Sequence, residues 1–66
     1  MKMIRFHNVS GGFAVFVNVE GVLAVTSGAK GTNIHFNGFS LEVIEDMHTV
    51  MLDIRDSGVE VPDYKT

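Results

Sequence analysis

The sequence predicts a mainly β domain of the α+β class: a small, curled antiparallel sheet of about five strands with one C-terminal amphipathic helix closing one side. Three observations carry this reading. Asn37-Gly38 stands between two alternating runs, which is a strong short-range hairpin signal. Two apolar runs rich in β-branched and aromatic residues, Phe13 to Val17 and Val22 to Thr26, precede it. After Asp46, the residues Met47, Val50, Met51 and Ile54 recur at i, i+3, i+4 and i+7, the spacing of a helical stripe.

Taken in order, Lys2 to His7 alternates and reads as a first short strand. Asn8-Val9-Ser10-Gly11-Gly12 is a turn cluster. The runs at 13–17 and 22–26 read as the second and third strands, apolar on both faces, with Asn18-Val19-Glu20-Gly21 as the turn between them. Ser27-Gly28-Ala29-Lys30-Gly31 is a glycine-rich turn into the hairpin at 32–44. A type I′ turn at Asn37-Gly38 needs positive φ at both central residues and fixes the register. Phe36 then faces Phe39, His35 faces Ser40, Ile34 faces Leu41, Asn33 faces Glu42 and Thr32 faces Val43. Ile34, Phe36, Phe39, Leu41 and Val43 share the core face; Asn33, His35, Ser40 and Glu42 share the wet one. Asp46 is a good N-cap, Glu45 adds charge at the same helix start, and Gly58 suits the residue that stops a helix at about 47–57. Residues 1–58 are read as one domain. Residues 59–66, which include Pro62, are read as a tail that is extended, disordered or docked on a neighbour.

A chain of 66 residues without cysteine has no disulfide or thiolate site to staple it. Small domains without staples rely on unusually good packing or on self-association. The formal charge of −3 argues against a duplex nucleic-acid binder, which would show a basic stripe. No apolar run approaches the roughly 20 residues of a membrane span. Met1-Lys2-Met3-Ile4-Arg5 has no long apolar stretch, so no signal peptide is expected and the expected location is cytoplasmic.

The order of signals resembles the small FlbD-like proteins linked to bacterial flagellar and swarming genes. The resemblance runs over about residues 3 to 54. It rests on the Met3-Ile4 strand, Asn8 and its glycine turn, and the apolar strand ending in Asn18. It continues through the Val22-Val25 strand, the Asn37-Gly38 turn and Val43-Ile44-Glu45-Asp46 leading into a helix with Val50. It implies a small β-rich fold and a non-enzymatic role, and it carries over no catalytic residue. The glycine-rich loop at 27–31 is less charged than that family's usual loop.

No catalytic constellation emerges from the residues themselves, so no enzyme is expected. His7, His35 and His48 show no metal-ligand spacing, and they read as solvated surface histidines; no metal and no cofactor are expected. The carboxylates of Glu42, Glu45, Asp46, Asp53 and Asp56 are explained by strand and helix-cap positions. Gly28-Ala29-Lys30-Gly31-Thr32 lacks the full phosphate-loop spacing and leads into a strand, although Lys30 with Arg5 or Arg55 of a neighbouring subunit would suit a phosphate.

Two readings of function follow. The first is a homo-oligomeric, non-enzymatic binding or regulatory module acting through protein contacts. One short helix covers only one face of the sheet, which assigns Ala14, Phe16, Leu23 and Val25 to a subunit interface. The alternative is a sponge of the phage anti-defence type, sequestering a nucleotide or other small anionic signal between subunits. Arg5, Lys30, Asn33, His35 and Arg55 would hold its anion, and Phe13 or Phe39 would stack a base.

Overall fold

A computed structural model describes residues 2–58, so the expectation for the tail at 59–66 lies outside the described residues. The elements are β1 (Met3–His7), β2 (Ala14–Asn18), β3 (Ala24–Ser27), β4 (Thr32–Phe36), β5 (Phe39–Val43) and α1 (Met47–Asp56). A 3-10 turn at Val19–Gly21 follows β2. The chain is thus mainly β, of the α+β class, with five antiparallel strands and a C-terminal helix. None of its helices is long and apolar enough to cross a membrane, among the described residues.

The strands form two sheets instead of one, a pair β1-β2 and a triplet β3-β4-β5. They meet at a corner where Asn8 bridges Val43. There Ile44 N–H donates to the His7 carbonyl at 2.7 Å and Val9 N–H donates to the Glu42 carbonyl at 3.1 Å. The curl expected of a single sheet is made at this corner, where β1 runs past the end of β5.

In the β4-β5 hairpin the register is the one that alternation and a two-residue loop require, from Phe36 opposite Phe39 to Thr32 opposite Val43. The turn type differs from the expectation. Gly38 takes φ +89°, but Asn37 keeps a negative φ. That sequence of signs belongs to a type II turn, in which only the second central residue needs the left-handed region. Burial falls along the hairpin toward this turn. Val43 and Ile34 are buried, Leu41 and Phe36 are half-buried, and Phe39 is 61% exposed. Phe39 leaves the core because it sits at the far end of the hairpin, where it stacks on Phe36 with centroids 4.8 Å apart.

Phe6, Val17, Val19, Ile34, Val43, Val50 and Ile54 form the core. Full burial of side chains of this size contributes about 1.5–3 kcal/mol each relative to exposure. Alternation explains the strand members, since Ile4 and Phe6 lie opposite Val17 and Val15 on the inward face of β1-β2. Val19 lies in a turn, as expected, and is also buried. The Asn18 side chain caps the 3-10 turn by accepting Glu20 N–H at 3.2 Å, and the tight winding swings Val19 inward.

The helix begins at Asp46, whose carboxylate accepts Thr49 N–H at 2.8 Å. It ends before Gly58, whose N–H donates to the Arg55 carbonyl. Val50 and Ile54 are buried, and Met47 and Met51 are half-buried on the flank of the stripe. β3 begins at Ala24, later than the expected Val22, because Val22 closes the 3-10 turn. Glu45 does not share the cap with Asp46; it turns back to His7.

Candidate functional site

The two faces of β1-β2 are unlike. Ile4, Phe6, Val15 and Val17 face the core, and the cross-strand pairs Met3–Asn18, Arg5–Phe16 and His7–Ala14 lie on the other side. On that outer face Phe16 is 63% exposed and Met3 50% exposed, and Ala14 and Arg5 are exposed too. Two of the four residues assigned to an interface, Ala14 and Phe16, therefore stand together on an uncovered sheet face. Leu23 is also exposed, at 70%, but in the lead-in to β3. Val25 turns inward: it pairs with Ile34 and packs against the core. Alternation over 22–26 put Leu23 and Val25 on one face. The 3-10 turn shortens the strand, so that alternation begins only at Ala24.

Next to this face, His7 and Glu45 clasp the corner between the sheets. The Glu45 carboxylate accepts His7 N–H at 3.0 Å and the His7 Nδ1–H at 2.8 Å. A carboxylate only accepts, so the His7 Nδ1 is the donor in this pair. Burial pushes the Glu45 carboxyl up. The hydrogen bonds from the His7 ring and backbone outweigh this and hold it below its ordinary value of 4.5. Thr32, the buried polar residue of the core face, adds a second tie by donating its hydroxyl to the Glu45 carbonyl at 2.8 Å. Periodicity could not have found this clasp, because its partners are 38 and 13 residues apart.

The wet face of β3-β4-β5 carries Asn33, His35, Ser40 and Glu42, as expected. His35 is not simply solvated: its Nε2 shares a hydrogen bond with Thr26 Oγ1 at 2.8 Å. Glu42 folds over the glycine-rich loop and accepts Lys30 N–H at 2.6 Å. A carboxylate thus lies against the loop where Lys30 would meet a phosphate, and it opposes a second anion.

Arg5, Lys30, Asn33, His35 and Arg55 do not converge within one chain. Arg5 belongs to β1-β2, beside Phe16. Asn33 and His35 lie on the wet face of β4, with Lys30 in the loop before it. Arg55 is exposed in the last turn of a helix that packs on the opposite, core side, and its guanidinium Nε lies 3.8 Å from Asp56. Among the described residues, no group of three or more His, Asp and Glu side chains is gathered in a way that could hold a metal ion. Among the described residues, the geometry therefore leaves exposed on β1-β2 a face that sets Met3, Ala14 and Phe16 beside Arg5, His7 and Asn18. No protein-family model, curated protein or solved structure matches this chain.

Proposed function

We propose that the protein works as a homo-oligomeric, non-enzymatic binding module that acts through protein contacts, in keeping with its FlbD-like sequence pattern. One observation supports this reading above others: in so short a chain, Met3, Phe13, Phe16, Leu23, Phe39 and Ile44 are large apolar side chains that are all half or more exposed. Of these, Met3 and Phe16 share the outer face of β1-β2 with Ala14, and clustered apolar side chains of this kind mark contact surfaces. Removing such surface from water is worth roughly 25 cal/mol per Å² before the costs of association. On the wet face His35 bonds to Thr26 and Glu42 takes the Lys30 amide, which suits a scaffold better than a reaction centre.

Light scattering on the purified chain tests the reading. The parent is expected above monomer mass at micromolar concentration, and Phe16→Asp is expected to run smaller. A parent of monomer mass across that range would refute the proposal.

A further inference from the structure

Beyond which face is exposed, the backbone of β2 shows how a second copy would attach. The hairpin β1-β2 is closed at both ends by hydrogen bonds of known phase: Val19 N–H donates to the Lys2 carbonyl at 2.9 Å, and Asn8 N–H donates to the Phe13 carbonyl at 2.8 Å. In an antiparallel pair, bonded and non-bonded residue pairs alternate. The pairs Ile4–Val17 and Phe6–Val15 are therefore bonded, and the pairs Met3–Asn18, Arg5–Phe16 and His7–Ala14 are not. His7 provides an independent check. Its N–H is taken by Glu45 and its carbonyl by Ile44 N–H, both on the side away from β2. By the same alternation, the N–H and C=O groups of Ala14 and Phe16 and the N–H of Asn18 point outward from the free edge of β2, while the Asn18 carbonyl turns into the 3-10 turn that follows. No backbone hydrogen bond reaches them from another described residue.

Natural edge strands are guarded by lysine, proline, an inward charge or a bulge. β2 reads Ala-Val-Phe-Val-Asn and has none of these. Its central Val15-Phe16-Val17 is symmetric about Phe16. We propose that β2 pairs antiparallel with β2 of a second copy across a two-fold axis at Phe16, joining the two hairpins into one sheet of order β1-β2-β2-β1. This register sets Phe16 opposite Phe16 and Ala14 opposite Asn18, and it pairs the outward groups of the two Phe16 residues with one another and each Asn18 N–H with an Ala14 carbonyl. An axis at Val15 or Val17 leaves Asn18 or Ala14 unpaired. The two Phe16 rings become cross-strand neighbours, which covers the exposed side chain at the strand centre. The flanking Arg5 residues of the two copies stay three strand spacings apart, about 14 Å, so no like charges meet. The inference rests on the homo-oligomeric reading and specifies its interface.

The absence of cysteine makes the test direct. Opposed residues of a hydrogen-bonded antiparallel pair have Cα atoms about 5.5 Å apart, inside the roughly 4.4–6.8 Å range of disulfides. Phe16→Cys should therefore cross-link the full-length chain into a covalent dimer under mild oxidation. Ala14→Cys and Asn18→Cys each place their thiols about 13 Å out of step along the strand and should not cross-link. The double variant A14C/N18C should cross-link again. Each variant is exposed or half-buried, and its fold is checked by far-UV circular dichroism alongside the folded parent. If the parent is oligomeric but F16C cross-links no better than A14C, the edge inference fails and the oligomeric reading stands. If the parent is monomeric, both fail.

Discussion

Gly31 and Gly38 are glycines for different physical reasons, and substitution separates them. A Cβ on Gly38 would meet nothing within 4 Å, but φ there is +89°. Gly38→Val should therefore cost more than about 1 kcal/mol through backbone conformation alone, since a β-branched residue resists positive φ. Gly31 has an ordinary φ, and a Cβ there would run into the Val43 carbonyl oxygen and crowd that of Ile44. These are backbone atoms at the end of β5, which yield little. Gly31→Ala should destabilise by about 1–3 kcal/mol or more, as overpacking does. Urea titrations of both variants decide the matter: a Gly31→Ala protein as stable as the parent would mean the loop at 27–31 does not abut β5. The first glycine of this contrast was legible, because Asn-Gly between alternating runs announces a turn. The second was not, because its reason lies 12 residues away in the fold.

Glu45 belongs to the same scale. Its carboxyl is held below 4.5 in the folded chain by His7, against the opposing effect of burial. A group with a lowered folded value contributes stability above its unfolded value and loses it as pH falls through the folded one. Its contribution is therefore present at neutral pH and is lost as pH drops below 4.5. Asp46, held below 3.8 by the backbone and hydroxyl of Thr49, acts in the same direction at lower pH. Thermal melts should show a melting temperature that declines through this acid range, with a shallower decline in Glu45→Gln. An equal acid slope in parent and variant would remove the clasp from the account.

At the scale of elements, α1 shows how far periodicity reaches. The stripe, its N-cap at Asp46 and its stop at Gly58 all follow from spacing and capping chemistry. Which stripe residues carry the packing does not. Val50 and Ile54 sit at the centre of the contact and are buried, whereas Met47 and Met51, one flank over, keep partial exposure. Ile54→Ala should cost about 2–5 kcal/mol, enough to unfold much of a domain with about 0.05–0.15 kcal/mol of stability per residue. Met51→Ala should cost distinctly less. Equal losses in chemical denaturation would show that the helix sits rotated about its axis from the orientation described here. The helix itself resists neither substitution, since alanine is the best helix former.

At the scale of the molecule, no described residue covers the outer face of β1-β2, because the short helix and the β3-β4-β5 sheet pack on the other side. A folded unit that hides such a face only in an assembly is stabilised by mass action. The melting temperature of the parent should therefore rise with protein concentration over the micromolar range, and that of Phe16→Asp should not. A parent whose melting temperature is independent of concentration would count against assembly.

The sequence by itself determined the order and kind of the main elements, the register of the hairpin, the helix and its cap, and the class of the fold. These follow from side-chain period and turn chemistry, which act between near neighbours along the chain. The tertiary structure alone decided the rest. It split the strands into two sheets, drew Val19 into the core and Val25 against it, left Phe39 outside it and tied Glu45 to His7. It also dispersed Arg5, Lys30, Asn33, His35 and Arg55 while leaving Ala14 and Phe16 together on an open face. Each of these outcomes depends on contacts between residues distant in the chain, and local periodicity carries no information about which distant surfaces meet.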